Sequence, residues 1–340
     1  MKAAVLKKPF KIEIQEVEKP KVRDNEVLIE VIEAGVCGSD LHTYEGVHPF
    51  RKPPVILGHE VSGNVCKLGS KVTGIDIGTK VAVEPLISCG ECSFCRQGRY
   101  NICPERIVPG VAGWKGTFAE YFATPAERVY PLKNNVSYTS GVLAEPIAVG
   151  LHAARRVNIK DNSTLVIGLG PVGIGAAVSA KILGSKQVIA TDIAEINLKV
   201  AKELGIDQTI NVSKEDLRKK ANEFVPEGFD SVIVATGYPK AIEDAIALTR
   251  RCASIVVVSL FTKSITTSFS QFVLQEKEIF GSSAYIKSDF EIVVNWLNDG
   301  KLKPDSMATH KMPLEKASKA LEILHKRNEP VIKIILKPKP

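Results

Sequence analysis

The stretch VIGLGPVG, residues 166–173, contains three glycines in the order G-x-G-x-x-G. The pattern is weak evidence by itself, but here it follows an apolar run that predicts a strand and opens a run that predicts a helix. A second predicted strand ends in Asp192, 19 residues after Gly173. This is the context that a dinucleotide-binding turn requires. The residues predicted to contact a dinucleotide share this turn or end the second strand: Gly168, Gly170, Pro171, Val172, Gly173 and Asp192.

The glycines and Asp192 have different predicted roles. Glycine permits the tight turn and lets backbone N–H groups approach a pyrophosphate at the helix N-terminus. Asp192 would accept hydrogen bonds from the adenosine ribose and repel a 2′-phosphate, so we expect NAD rather than NADP, although neighbouring basic residues can override one aspartate. The alternative is that the glycines serve only strand–helix packing and that Asp192 caps the next helix. The complete strand–turn–helix–strand context favours the dinucleotide.

The sequence around this turn predicts a fold of mixed class, α/β plus β. From residue 164 to about 275, short β-branched strands alternate with helices, which indicates parallel βαβ units. The first 140 or so residues have short apolar runs broken by turn residues, as in an all-β unit with long loops. Two polar helices and a final strand follow the βαβ region. We therefore expect domains at 1–150 and 151–275, and a third segment at 276–340.

Composition and charge indicate whether the chain binds a membrane or a nucleic acid. The chain has 340 residues, of which 44% are hydrophobic and 24% charged, as in ordinary globular proteins. Its N-terminal residues contain no apolar segment of signal-peptide length, so we expect a cytoplasmic protein without a membrane span. The net charge of +7 comes from basic residues that mostly lie near acids, as in KEDLRKK, residues 214–220. Such mixed charges indicate solvated faces, so we expect no nucleic-acid partner.

Four of the seven cysteines lie in one short stretch, CGECSFCRQGRYNIC, residues 89–103. Their spacing is C-x2-C-x2-C-x7-C, and structural disulfides are rare in the cytoplasm. Four thiolates at this spacing can form the closed tetrahedral site of a structural zinc ion. Iron–sulfur clusters are bound by cysteines at similar spacings. A zinc ribbon that binds nucleic acid is a third alternative, but it usually has two well-separated C-x2-C pairs. The stretch therefore predicts a metal site, with iron as the rival to zinc. The cysteines are Cys89, Cys92, Cys95 and Cys103.

A second group of metal-ligating and polar residues is spread over three segments, AGVCGSDLHTYEG, ILGHEVSG and LAEPIAVG. Taken singly, each residue has an ordinary structural explanation, such as a core thiol or a charge at a helix start. We assign Cys66 and Cys252 to that structural class, as small apolar residues in or beside strands. The candidates are Cys37, Ser39, Asp40, His42, His59, Glu60 and Glu145.

The motifs GVCGSDLH, GHEVSG, EPIAVGLHAARR and GLGPVG, with the four-cysteine stretch, stand in the order seen in zinc-dependent medium-chain dehydrogenases. The chain resembles this family over its whole length. The resemblance implies a GroES-like β-rich catalytic domain, a Rossmann domain with a doubly wound parallel sheet, and a final segment that returns to the first domain. It places the active site in the cleft between the domains and implies a homo-oligomer, a tetramer or a dimer.

The resemblance also assigns ligands to two zinc ions. Cys37 and His59 become ligands of a catalytic zinc, and Asp40 becomes the carboxylate that orients the histidine. Glu145 stands where many simple alcohol dehydrogenases place a second cysteine, and Glu60 directly follows His59. This arrangement resembles the polyol branch of sorbitol, butanediol, threonine and sugar-acid dehydrogenases. The sequence leaves open which glutamate is the direct ligand. The lobe cysteines become ligands of a structural zinc.

For the chemistry, the resemblance implies hydride transfer from a zinc-bound alcohol to NAD. Ser39 and His42 would relay the proton to solvent, and histidine suits the outer end because its pKa lies near neutral pH. Ala284 stands where sorbitol dehydrogenases have an arginine before Tyr285, which argues against sorbitol itself. We expect a polyol, vicinal diol or sugar acid as substrate. The alternatives are a threonine-type dehydrogenase and a cofactor-binding member without activity.

Overall fold

The chain forms two compact units. A computed structural model describes residues 1–261, 264–267 and 269–339. The first unit comprises residues 1–145 and 286–340, and the second comprises residues 146–285. The C-terminal segment therefore belongs to the first unit, as the family resemblance implies.

Within residues 1–137, all of which are described, eight strands of the first unit come before the long helix Tyr138–Ala154. The elements up to residue 154 are β1 Lys2–Lys8, β2 Lys11–Glu16, β3 Glu26–Val36, α1 Gly38–Tyr44, β4 Val55–Ile56, β5 Glu60–Leu68, β6 Lys80–Val83, α2 Ser93–Arg96, β7 Tyr121–Pro125, β8 Val129–Pro131 and α3 Tyr138–Ala154, the last of which continues into the second unit from Pro146.

The second unit alternates strands and helices. Its elements after α3 are β9 Ser163–Ile167, α4 Pro171–Ile182, β10 Gln187–Asp192, α5 Glu195–Glu203, β11 Gln208–Asn211, α6 Leu217–Phe224, β12 Phe229–Val234, α7 Lys240–Leu248, β13 Thr249–Val257, α8 Ser270–Gln275 and β14 Glu278–Gly281.

The chain then returns to the first unit. The returning elements are α9 Lys287–Asn298, β15 Ala308–Pro313, α10 Ala317–Lys326 and β16 Lys333–Lys337.

The second unit contains a six-stranded sheet in the order β11-β10-β9-β12-β13-β14, and every neighbouring pair is parallel. Its central strand β9 is buried along its whole length, as expected of a parallel strand with helices on both faces. Leu165, Ile189 and Val232 from three adjacent strands form one apolar core with the helices. The doubly wound Rossmann sheet predicted from the sequence is present.

The last strand of this sheet corrects the predicted boundary. We expected the βαβ region to end at residue 275, but β14 pairs with β13 in parallel, and the second unit extends to Tyr285. The strand EIFG is short, and three of its four residues are exposed at the sheet edge. An edge strand of this kind lacks the continuous apolar run that marks buried parallel strands, so the sequence pattern missed it. The first boundary lies at 145, five residues before the predicted one.

The first unit contains a mixed sheet in the order β15-β16-β3-β5-β6-β8, with β7 also paired to β3, and a smaller sheet β2-β1-β4. Strand β16 pairs antiparallel with β3, so the C-terminal strand lies directly beside the strand that leads to Cys37. Phe118, Phe122, Leu321 and Ile334 belong to one buried apolar core, which therefore includes the returning segment. Among the described residues, we find no helix with the length and apolar character needed to cross a membrane.

Candidate active site

Three of the predicted metal ligands converge in the first unit. The ligand atoms of Cys37, His59 and Glu60 all lie within 4.8 Å of one another. Cys37 follows β3 and precedes α1, whereas His59 and Glu60 stand at the start of β5, which pairs antiparallel with β3. The cross-strand partner of Glu60 is Gly35, and a Cβ there would lie 2.0 Å from a carboxylate oxygen of Glu60. Glycine at this position therefore lets the Glu60 side chain lie across β3.

Asp40 connects the two segments that carry these ligands. Its Oδ2 accepts a hydrogen bond from the backbone N–H of Cys37 at 3.0 Å, and its Oδ1 accepts one from that of Gly58 at 3.1 Å. The same Oδ1 lies 3.7 Å from Nδ1 of His59. Burial alone would raise the pKa of Asp40, but His59 and then Arg51 lower it, so the carboxyl group is ionised. This position agrees with the predicted role of Asp40 in orienting His59.

The surroundings of His59 fit a metal ion. Its Nδ1 faces the carboxylate of Asp40 across 3.7 Å, which leaves the other ring nitrogen for an ion. Burial would lower the pKa of His59, but the charges of Asp40 and Cys37 hold it well above its ordinary value. A thiolate, an imidazole and a carboxylate are ligands that zinc prefers, and a divalent cation would offset the negative charge that gathers here. The residues present therefore suit the zinc ion that the sequence predicts.

A buried lysine that sequence reasoning missed lies beside Glu60. Nζ of Lys333, on β16, donates hydrogen bonds to Oε1 and Oε2 of Glu60 at 2.6 and 2.8 Å and to the carbonyl of Val36 at 3.2 Å. The side chains of Lys333 and Glu60 are 2% and 0% exposed. Burial would lower the pKa of Lys333, but Glu60, followed by Cys37 and Glu145, raises it above its ordinary value. Lys333 is therefore a fixed positive charge within the ligand set.

The two glutamates differ in position. Glu60 belongs to the converging ligand set, whereas Glu145 does not, although its charge is close enough to raise the pKa of Lys333. Glu145 is half-buried in α3, one residue before Pro146. The geometry thus groups Glu60, rather than Glu145, with Cys37 and His59.

The predicted proton-relay residues both lie on α1. Ser39 is half-buried, and its Oγ accepts a hydrogen bond from Arg51 at 2.7 Å. His42, three residues later on the same short helix, is exposed. A hydroxyl near the metal ligands and an exposed imidazole are the two ends that a path for a proton to solvent needs. Arg51 was not predicted, because it lies in a polar loop sequence that reads as surface charge.

The four lobe cysteines form a second converging set. Their sulfur atoms lie within 4.8 Å of one another, including contacts of 3.5 Å from Cys103 to Cys89 and 3.9 Å from Cys89 to Cys95. All seven cysteines lie in the described part of the chain, and none forms a disulfide. A backbone hydrogen bond from Cys95 would lower the pKa of Cys92, but burial and the neighbouring thiols raise it to about 11. Burial would raise the pKa of Cys95, but hydrogen bonds with Ser88 and then Cys92 lower it to about 7. Four thiols this close together suit a shared metal ion.

A buried carboxylate ties this lobe to the sheet. Glu84 directly follows β6, is fully buried, and accepts hydrogen bonds from the hydroxyl groups of Tyr100 at 2.7 Å and Tyr130 at 2.9 Å. Arg128 pairs with it at 3.0 Å. Tyr100 belongs to the lobe, between Cys95 and Cys103, whereas Tyr130 lies on β8. Burial and then Glu84 raise the pKa of both tyrosines, so their hydroxyl groups remain donors.

The glycine turn in the second unit has the predicted geometry. Gly168 has φ +94°, a conformation that favours glycine. A Cβ on Gly173 would lie 1.9 Å from the carbonyl oxygen of Gly168, so only glycine allows this close approach. Gly170 is the N-cap residue of α4, and Pro171 is its first residue. The turn thus has the glycine conformation and the helix start that a pyrophosphate site requires.

Asp192 holds this turn in place. Its Oδ2 accepts a hydrogen bond from the backbone N–H of Leu169 at 2.7 Å, and its Oδ1 accepts one from that of Ala194 at 2.8 Å. Each carboxylate oxygen keeps further acceptor capacity for ribose hydroxyl groups. Asp192 is therefore both a turn-stabilising residue and a candidate ribose acceptor, so the two interpretations of the sequence are compatible.

Lys214, which follows β11, forms an ion pair with Glu195. Asn211, at the end of β11, is the cross-strand partner of Asp192. Oε1 of Glu195 accepts hydrogen bonds at 2.6 Å from the Asn211 side chain and from Nζ of Lys214. These hydrogen bonds lower the pKa of Glu195. Lys214 is the kind of neighbouring basic residue that could attract a 2′-phosphate, and Glu195 opposes its charge.

Comparison with known proteins agrees with this geometry. The family model for the alcohol dehydrogenase GroES-like domain matches residues 23–134, and that for the zinc-binding dehydrogenase domain matches residues 171–299. A sorbitol dehydrogenase of Bacillus subtilis is 33% identical over 99% of this chain and 97% of its own length. The chain belongs to the zinc-dependent medium-chain dehydrogenases. This dehydrogenase is an alcohol dehydrogenase in the broad sense, an oxidoreductase of the EC 1.1.1 type.

Two solved structures extend the comparison. The (2R,3R)-butanediol dehydrogenase of Bacillus subtilis is 30% identical, with a TM-score of 0.90 and 99% coverage of both chains. A protein of Escherichia coli CFT073, described as a short chain alcohol dehydrogenase, is 29% identical, with a TM-score of 0.91 and 99% coverage of both chains, and was determined with NADH. The GroES-like and Rossmann fold class is confirmed, as are zinc and a nicotinamide cofactor as the chemistry of this family.

Proposed function

We propose that this dehydrogenase oxidises a secondary alcohol of a polyol, vicinal diol or sugar acid and reduces NAD. The observation that carries the proposal is the grouping of Glu60 with Cys37 and His59, a ligand set with one thiolate and one carboxylate. A carboxylate is a harder and more strongly hydrated ligand than a second thiolate of the same charge, and a hydrated site suits a substrate that chelates through adjacent oxygens. Lys333, Arg51 and Asp40 add charged groups around these ligands.

The protein's own residues would support this reaction in three ways. Bound zinc would act as a Lewis acid that lowers the pKa of the substrate hydroxyl. Cys37, His59 and Glu60 would hold the ion, with Glu145 as a further carboxylate nearby. Ser39 would accept the substrate proton while passing its own toward His42, which is exposed to solvent.

Two features support NAD as the electron acceptor. The Asp192 carboxylate would bind ribose hydroxyl groups and repel a 2′-phosphate. Glu195, the first residue of α5, adds a second negative charge and pairs with Lys214.

Steady-state reduction of NAD with a matched series of substrates tests the proposal. The series comprises mono-ols, vicinal diols, tetritols to hexitols, aldonates and L-threonine. A site built to hydrogen-bond a second hydroxyl group rejects analogues that lack it, so we expect kcat/KM for the best diol or polyol at least ~100-fold above that of the chain-matched mono-ol. Ethanol or benzyl alcohol as the best substrate would contradict the polyol assignment but not the dehydrogenase. L-Threonine as the best substrate would favour the threonine branch.

A parallel metal analysis tests the cofactor assignment. Two converging ligand sets predict two zinc ions per chain. Iron in the four-cysteine lobe would contradict the structural-zinc assignment. Equal catalytic efficiency with NAD and NADP would contradict the proposed role of Asp192.

A further inference from the structure

Arg51 lies between the metal ligands and the candidate proton relay. The residue is 3% exposed, although its loop sequence is polar. One guanidinium nitrogen donates to Oδ1 of Asp40 at 2.8 Å, and the other donates to Oγ of Ser39 at 2.7 Å. Two neighbours on the same short helix are therefore joined by one planar cation.

The surrounding loop holds Arg51 in this position. Nδ1 of His48 accepts hydrogen bonds from the backbone N–H groups of Phe50 at 3.2 Å and Arg51 at 3.0 Å. Burial and the charge of Arg51 lower the pKa of His48 to about 4, so its ring is neutral and can accept these bonds at neutral pH. The aliphatic part of Arg51 packs at Gly110, where a Cβ would lie 2.9 Å from Cδ of Arg51. These contacts fix the backbone and the aliphatic part of the Arg51 side chain, and so they fix the guanidinium group against Asp40 and Ser39.

The chemistry of a guanidinium group restricts what Ser39 can do. Arginine donates hydrogen bonds and never accepts them, so one lone pair of the Ser39 oxygen is always occupied. The hydroxyl hydrogen must then point elsewhere. One acceptor position and one donor position remain on Ser39, and a hydroxyl that takes one proton while giving up another needs both.

The guanidinium group of Arg51 also donates a hydrogen bond to Asp40. Oδ1 of Asp40 receives Arg51 and the Gly58 N–H, and it lies 3.7 Å from Nδ1 of His59. Arg51 therefore compensates the buried charge of Asp40 and restrains the oxygen that faces the metal-ligating histidine. Partners behind a metal ligand commonly affect metal affinity as well as orientation.

We infer that Arg51 is a positioning residue that couples the two halves of the active site: through Asp40 it orients His59 for the metal, and through Ser39 it sets the direction of the proton relay. The Ser39 half of this inference rests on the proposed dehydrogenase function, whereas the Asp40 half requires only metal binding.

Zinc affinity tests the Asp40 half without any turnover. The full-length protein is titrated with zinc against a chromophoric chelator, as wild type, Arg51→Met and Lys52→Met. Lys52 is the exposed neighbour of Arg51 and serves as the matched control. We expect Arg51→Met to weaken catalytic-site zinc binding by about 10- to 100-fold, as outer-shell partners of metal ligands do, and Lys52→Met to leave it unchanged. Wild-type zinc affinity in Arg51→Met would overturn this half.

A double-mutant cycle with Ser39→Ala tests the other half. Single-turnover hydride transfer is measured at saturating zinc in wild type, Arg51→Met, Ser39→Ala and the double variant. If Arg51 acts through Ser39, we expect Arg51→Met to slow hydride transfer by about tenfold when Ser39 is present, a fraction of what general acid–base catalysis supplies. In the Ser39→Ala protein, the same substitution should not slow hydride transfer further. An equal loss in both backgrounds would overturn the coupling.

Arg51→Lys keeps the test decisive if Arg51→Met does not fold. The lysine keeps a charge opposite Asp40, but an ammonium group lacks the planar fork that joins two residues. We expect this variant to fold and to show the Ser39-dependent loss. Wild-type zinc affinity together with a wild-type transfer rate would show that the fork is unnecessary and would overturn the inference. Absence of NAD reduction by the wild type would instead contradict the proposed function, and the zinc titration would still report on Asp40.

Discussion

Replacing Lys333 with Met should destabilise the first unit of the metal-free protein, because the substitution leaves Glu60 charged and unpaired. Lys333 donates three hydrogen bonds, two to the Glu60 carboxylate and one to the carbonyl of Val36. Neither side chain of the pair has appreciable access to water. Methionine fills similar volume but offers no donor. Breaking a buried ion pair by removing one partner costs roughly 3–5 kcal/mol, and we expect a loss in this range.

Urea unfolding of the metal-free protein, followed by tryptophan fluorescence, measures this loss. Both tryptophans, Trp114 and Trp296, lie in the first unit, so their emission reports on the unit that contains Lys333. Lys337→Met is the matched control on the same strand, because Lys337 is 46% exposed and lies 3.7 Å from Glu33. Glu33 is buried but keeps Lys311 at 3.3 Å and the hydrogen bond from Thr139 without Lys337, so we expect this substitution to cost about 0–1 kcal/mol.

Two further measurements separate pairing from packing. Glu60→Met combined with Lys333→Met removes both charges and leaves neither side chain with an unpaired polar group. Replacing both members of a buried pair with apolar residues of similar volume is often close to neutral, so the double variant should recover most of the lost stability. Zinc should stabilise Lys333→Met more than wild type, because a bound cation compensates the Glu60 charge. If Lys333→Met cost no more than Lys337→Met, or if the double variant were no more stable than Lys333→Met, the ion-pair reasoning would be refuted.

Two other predictions concern the metal lobe and the cofactor. Cys92→Ser should reduce the zinc content from two ions per chain to one and lower the melting temperature, with NAD reduction kept in the folded fraction; loss of activity with unchanged stability would contradict a structural role for the lobe. Glu195→Gln should remove the charge that opposes Lys214, so the Kd for 2′,5′-ADP should fall relative to that for 5′-AMP by about threefold, the modest effect of an exposed ion pair. Calorimetric titration measures both constants, and an unchanged ratio would show that Glu195 does not mask Lys214.

The sequence alone predicts those parts of the protein whose residues are close together along the chain. The glycine turn and Asp192 belong to one βαβ unit, and the lobe cysteines lie within residues 89–103. Their spacing along the chain is therefore enough to predict a dinucleotide site and a metal site. The alternation of short strands with helices likewise predicts the Rossmann sheet, since buried parallel strands are marked by β-branched runs. The edge strand β14 lacks that signal and was missed.

Only the tertiary structure decided how distant charges pair. Lys333 and Glu60 are 273 residues apart, and Lys333 lies in a strand sequence where a lysine reads as an ordinary exposed charge. The antiparallel pairing of β16 with β3 brings it beside Cys37 and Glu60. The same folding grouped Glu60 rather than Glu145 with the other ligands and buried Arg51 against Asp40. Periodicity predicts which face of an element is apolar, but it does not specify which buried cation meets which buried acid, because that choice depends on strand order and register.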